Sequence, residues 1–350
     1  MADSSHPHRL GPNKVPVYYA GGEGIDRFRG ERGATGPEDW VGSVTPFPRH
    51  LLPAGTDPST GVSRLSDGTL LDAAVGADPE GWLGPALARL YGCEPGLLVK
   101  LLDAGERLPV HCHPTPAFAQ AHLGSRFGKN EGWIVIAAER DARIWLGFDH
   151  EVTAKQLRGW VDAQDAEAML EAMNEFAAAP GDVYYVPAGM PHAIGPDVMI
   201  VELQEPTSFS ILAEHEPFGV AAENATLGLG WDVALSCFDR RVYGAEQLAL
   251  LRPQPQTVTA DRGGTLSRLF ADEAEPYFQA YRARSLSGIA LGPAAFRILV
   301  VGMGEGRIAF AGGTVGVEAG ETWVVPHGAG QLEAQGDLEL IVCCPPAIPA

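Results

Sequence analysis

Residues 181–195 read Gly-Asp-Val-Tyr-Tyr-Val-Pro-Ala-Gly-Met-Pro-His-Ala-Ile-Gly. A glycine opens a turn, an apolar run alternates through a short strand, and Pro187 and Gly189 make a tight corner. That corner delivers His192 to the head of the next strand. Upstream, Val110-His111-Cys112-His113-Pro114 supplies two further histidines spaced by two. Residues two apart on a strand project from the same face, so His111 and His113 can converge on one ion. Imidazole nitrogens and carboxylates are the usual ligands of zinc and its first-row neighbours. The pattern predicts a metal site inside a β-barrel.

The rest of the chain sets the bounds. At 350 residues and 45% hydrophobic content it can bury one large core or two ordinary ones. Its 43 glycines and 28 prolines suit many short strands joined by turns better than a helical bundle. A net charge of −19 argues against a nucleic-acid partner. No apolar run reaches the length of a membrane span, and the first residues lack the apolar centre of a signal peptide. The five cysteines include no CxxC pair and point to reduced thiols, hence a cytoplasmic location.

Strands are predicted at 98–102, 134–138, 143–148, 183–186 and 198–203. Residues 153–179, rich in Ala, Glu, Met and Leu, read as a helical insertion broken near 162–165. Short helices are expected at 231–238 and 245–251, followed by the linker-like Arg252-Pro253-Gln254-Pro255-Gln256. Strands return from Phe296 onward. Residues 1–90 carry no chemical motif and are expected to wrap the first barrel. Gly181-x5-Pro187-x-Gly189-x2-His192 recurs as Gly320-x5-Pro326-x-Gly328-x2-Gln331, with glutamine in place of histidine. The reading is therefore two barrels. Residues 1–235 form a metal-binding one with the insertion, and residues 236–350 a second that has lost the ligands.

HxH followed by a glutamate and then GxxxxxPxGxxH is the two-part signature of the cupin barrels. The glutamate is assigned to Glu131, in Gly128-Lys129-Asn130-Glu131-Gly132-Trp133, at the start of an apolar strand. The ligand set is His111, His113, Glu131 and His192. His50, His150, His215 and His327 read as surface or loop residues, while His122 lies between the ligands.

These segments resemble the type I phosphomannose isomerases. The resemblance runs over roughly 100–205 through His111-Cys112-His113-Pro114, Lys129-Asn130-Glu131-Gly132-Trp133, the 181–195 turn and Val201-Glu202-Leu203-Gln204. It implies a mainly β double cupin with a small helical insertion and one divalent metal, by family usage zinc. Three departures stand out. His111 replaces the family's glutamine ligand, giving a three-histidine, one-glutamate set that also suits manganese, iron or nickel. Pro109 and Leu212 fall where the family places a serine and an arginine that hold substrate phosphate, and 207–214 contains no arginine or lysine.

The function expected from the resemblance is metal-dependent aldose–ketose isomerisation of a mannose- or fructose-type sugar or sugar phosphate. Lys129, two residues before Glu131 and so on the metal-facing side, and Glu202 are the candidate proton-transfer groups. Gln204, Trp133, Arg126 and His122 are the candidate substrate contacts. Two alternatives follow from the same residues: a cupin oxygenase or decarboxylase, and a sugar-binding cupin without turnover. The expected partner is a small-molecule sugar, with the chain a monomer or small homo-oligomer.

Overall fold

The structure, a computed structural model, describes residues 2–30 and 36–348. The first barrel is built from two antiparallel sheets. A six-stranded sheet runs Lys14–Val15, Glu38–Val41, Leu98–Ala104, Val198–Gln204, Glu131–Ala138, Val183–Val186. A five-stranded sheet runs Ile211–Leu212, His111–Cys112, His192–Ile194, Arg143–Phe148, Met173–Ala177. The central strands Leu98–Ala104 and Val198–Gln204 are buried along their whole length. Both read as near-continuous apolar runs because both faces are covered. Register places Trp40, Lys100, Glu202, Trp133 and Tyr184 side by side across five strands of the six-stranded sheet. One lateral row thus carries two charges across an apolar sheet.

The second barrel is a nine-stranded antiparallel sheet. It is dominated by the long strands Arg297–Phe310 and Glu333–Cys344, with a register irregularity between Val301 and Met303. Its own core includes Leu299, Val301, Leu340 and Val342. The two barrels meet where Phe270 and Phe278 lie against Gly132. A Cβ built on Gly132 would stand 2.5 Å from Phe270 Cζ and 2.7 Å from Phe278 Cε2.

Three sequence expectations change. The insertion is helical only over Ala154–Ala163 and Ala166–Glu171, opened by a Thr153/Gln156 capping box and broken at Gln164, which takes φ 51°. Met173–Ala177 is instead a strand paired with Arg143–Phe148. Its alternating burial has the period of a strand, and edge pairing outweighs its helix-favouring composition. The N-terminal region does more than wrap the first barrel. Glu38–Val41 is an integral strand of it, and His8–Leu10 crosses to pair with Thr322–Val325 of the second. Finally, residues beyond 235 still lie on the first barrel: Asp239 N–H donates to Gly189 O, and Tyr243 N–H to Phe148 O. We therefore propose a domain boundary in the linker at 252–256 rather than at 235.

Candidate active site

His111 and His192 are direct cross-strand partners in the five-stranded sheet, and His113 follows one residue past that strand. All three rings are buried. Each Nδ1 lies 2.8 Å from a backbone carbonyl, that of Pro109 for His111, of Phe209 for His113 and of Met190 for His192. Donating Nδ1–H to a carbonyl fixes the tautomer and turns the Nε2 lone pair inward. The three histidines offer ligand atoms all within 4.8 Å of one another. Burial holds His192 and, further, His111 below the ordinary imidazole range, and takes His113 down to about 3 against the opposing pull of Glu131. The rings are therefore neutral, as metal ligands must be.

Glu131 comes from the facing sheet. Its Oε1 lies 3.0 Å from His113 Nε2 and 3.0 Å from Lys129 Nζ, and its Oε2 lies 3.8 Å from His192 Nε2. Trp133 Nε1 donates to Oε2 at 3.1 Å. Burial opposes ionisation of Glu131, but the facing His113 ring and the Lys129 ammonium outweigh it and hold the carboxyl well below its usual range. The deciding test of fit is His192 Nε2, which is buried and has no hydrogen-bond partner. An orphaned lone pair beside a carboxylate and two more inward nitrogens is costly without a cation to share. The donor set fits one divalent ion.

A cavity of ≈ 810 Å³ opens above this cluster and is lined by His111, Lys129, Glu131, Trp133, His192 and Glu202 among others. Two lining residues carry chemistry that the sequence reading missed. Lys100 Nζ lies 3.1 Å from Glu202 Oε1 and 3.2 Å from Glu38 Oε2, all three side chains being buried. Tyr19 and Trp40 donate to Glu38 at 2.6 and 2.8 Å. Burial works against the Lys100 charge, but Glu202 and Glu38 more than restore it. Glu202 differs from Glu38. Burial and the nearby Glu131 charge push it up to about 7, and its Oε1 makes no hydrogen bond of good geometry. Glu38, better supplied with donors, stays below its usual range despite its burial.

Comparison with known proteins bears on the fold and on the chain's relatives. No protein-family model matches the sequence. The chain is 28% identical over 253 residues to the mannose-6-phosphate isomerase of Streptococcus mutans, covering 70% of this chain and 72% of that one. A mannose-6-phosphate isomerase of Bacillus subtilis is 35% identical over 118 residues, about a third of each chain. Among solved structures, a mannose 6-phosphate isomerase from Bacillus subtilis superposes with a TM-score of 0.76 at 21% identity, over 97% of this chain and 99% of that one. The putative mannosephosphate isomerase of Archaeoglobus fulgidus gives 0.72 at 16% identity, over 99% and 100% of the two chains. The chain is thus similar in sequence to mannose-6-phosphate isomerases and shares the fold of their solved structures.

The structure brings together His111, His113, Glu131, His192, Lys129, Trp133 and Glu202. It does not bring three predicted substrate contacts to the cavity. Gln204 spends its amide on the carbonyls of Glu205 and Thr207, closing the end of its strand. Arg126 is exposed, stacks on Tyr91 at 4.6 Å and donates to Leu90 O. His122 ends the helix Pro116–His122, exposed against Phe118. Strand alternation alone could not tell which polar side chains the loops would claim. Lys100 did carry a signal: it is the single charge in Leu97-Leu98-Val99-Lys100-Leu101-Leu102, and a buried charge requires a partner.

Proposed function

We propose that this chain is a metal-dependent aldose–ketose isomerase of mannose/fructose type, with His111, His113, Glu131 and His192 as ligands of one divalent ion, taken to be zinc. The observation that carries the reading is the orphaned His192 Nε2, set in a neutral three-histidine cluster that shares one cavity with Glu202. When bound there, a divalent ion supplies Lewis-acid polarisation of the carbonyl and hydroxyl oxygens of an open-chain sugar. Glu202, neither fully ionised nor fully protonated near neutral pH, suits the group that takes a proton from one carbon and returns it to its neighbour. Lys100 holds Glu202 from one side and stays protonated. Lys129 presents N–H groups at the ligand cluster, where negative charge on a substrate oxygen would be met. Trp133 orients Glu131 through its indole N–H.

An oxygenase reading draws on the three-histidine, one-carboxylate set, which also suits redox metals. The buried cluster of Glu38, Lys100 and Glu202 favours proton transfer instead. The test is exchange of the sugar C2 proton with deuterated water by metal-loaded enzyme. Glu202→Gln and Lys129→Met should each retain metal and lose on the order of a hundredfold in rate. Oxygen consumption without exchange would move the assignment to the oxygenases, and sugar binding with neither would leave a binding protein.

A further inference from the structure

The relatives above are named for a phosphorylated substrate, and this cavity does not look built for one. Lys100 and Lys129 are the lysine or arginine side chains that line it among the described residues. Both are committed: Lys100 lies between Glu38 and Glu202 at 3.2 and 3.1 Å, and Lys129 lies 3.0 Å from Glu131. With the divalent ion of the proposed site held by Glu131 and the histidines, each cation of the cavity already has a buried carboxylate beside it. Phosphate recognition depends on charge-assisted donors, arginine above all, and a dianion leaving water without them keeps its desolvation cost.

The outer part of the cavity is of another character. Tyr18, Phe47, Leu51, Phe209, Phe218 and Leu227 line it. Ser208, Ser210 and Asn224 add neutral donors and acceptors, and Glu223 adds a negative charge. Aromatic faces with a few neutral hydrogen-bonding groups suit the C–H faces and hydroxyls of a carbohydrate. The volume of ≈ 810 Å³ is that of a pocket for a ligand larger than one hexose.

We propose that the site selects an uncharged reducing sugar over its phosphate ester, with the aromatic outer wall receiving the end remote from the carbonyl carbon, including a second glycosyl unit. The proposal names the substrate class of the isomerase reading and rests on it for turnover, but the selection itself can be read from binding.

Two measurements on the metal-loaded protein decide it. The first is kcat/KM for mannose, for a mannose-terminated reducing disaccharide and for mannose 6-phosphate. The neutral sugars should exceed the phosphate by about tenfold or more, the scale of one unmet charged partner. The second is calorimetric titration with mannitol and mannitol 6-phosphate, open-chain analogues that cannot turn over. Mannitol should bind more tightly, and Phe218→Arg, which puts a cation on the outer wall, should narrow the gap. A preference for the phosphate in either measurement, or equal affinity, overturns the selection while leaving isomerisation intact. If no sugar exchanges its C2 proton while mannitol still binds over its phosphate, the isomerase reading falls and the selection stands. Binding of neither analogue at saturating concentration refutes the proposal.

Discussion

Lys100 and Glu202 face each other across adjacent strands, Nζ 3.1 Å from Oε1, both buried and both on the row that crosses the cavity floor. Glu38 approaches the same ammonium at 3.2 Å, so one cation serves two carboxylates. Lys100→Met would leave both acids buried without it. Breaking a buried pair by removing one partner typically costs about 3–5 kcal/mol. Denaturant unfolding at neutral pH should show a loss of that size, and Lys100→Met combined with Glu202→Gln should recover part of it. A loss well below about 1 kcal/mol would mean that the triad is solvated in solution.

His192→Ala should empty the metal site. The substitution removes a buried nitrogen that no protein group satisfies and one of three histidines whose Nε2 atoms turn inward. Elemental analysis of the purified variant should show metal content falling from about one per chain to a small fraction of it, as expected when a ligand of a three-histidine site is lost. Full retention would remove the ligand assignment.

The histidine cluster was readable because its information is local. A spacing of two on a strand and a Gly-Pro-Gly corner each fix a direction within a few residues, and the sheets then only have to bring the two pieces together. Lys100 and Glu38 were not readable as a pair. They lie on strands separated by the whole 42–97 segment, and their meeting depends on a register no spacing reveals. Met173–Ala177 was misread for a related reason. Its residues favour a helix locally, and only the strand Arg143–Phe148 beside it makes an extended conformation the better one. Gln204 shows the opposite limit: its strand position was right, but the loop at Glu205–Thr207 took its amide.

Gly132 should tolerate no larger residue. It stands between Glu131 and Trp133, whose side chains turn toward the cavity, while its own outward side meets Phe270 and Phe278 of the second barrel. In Gly132→Val the two rings must move, at a cost of roughly 1–3 kcal/mol for overpacking a tight contact. A lowered melting temperature should accompany reduced metal affinity, since the displaced strand carries Glu131. Unchanged stability would show that the barrels do not pack here in solution.

The Glu202 carboxyl should make the metal-free protein less stable as pH rises toward neutrality. Its folded value is raised from 4.5 to about 7 by burial first and then by the nearby Glu131 charge, with Lys100 opposing. Between those two values the native state binds the proton that the unfolded chain has already released. Stability therefore falls with increasing pH across this window and levels off above it. The sign is opposite to that of an ordinary salt-bridged carboxylate such as Glu38, whose folded value is lowered and whose contribution disappears on acidification. Unfolding free energies of the chelator-treated protein and of Glu202→Gln, measured from pH 4.5 to 7, separate the two. The wild type should lose stability relative to the variant as pH rises. Parallel curves would place Glu202 in a solvated setting and remove the basis for its role in proton transfer.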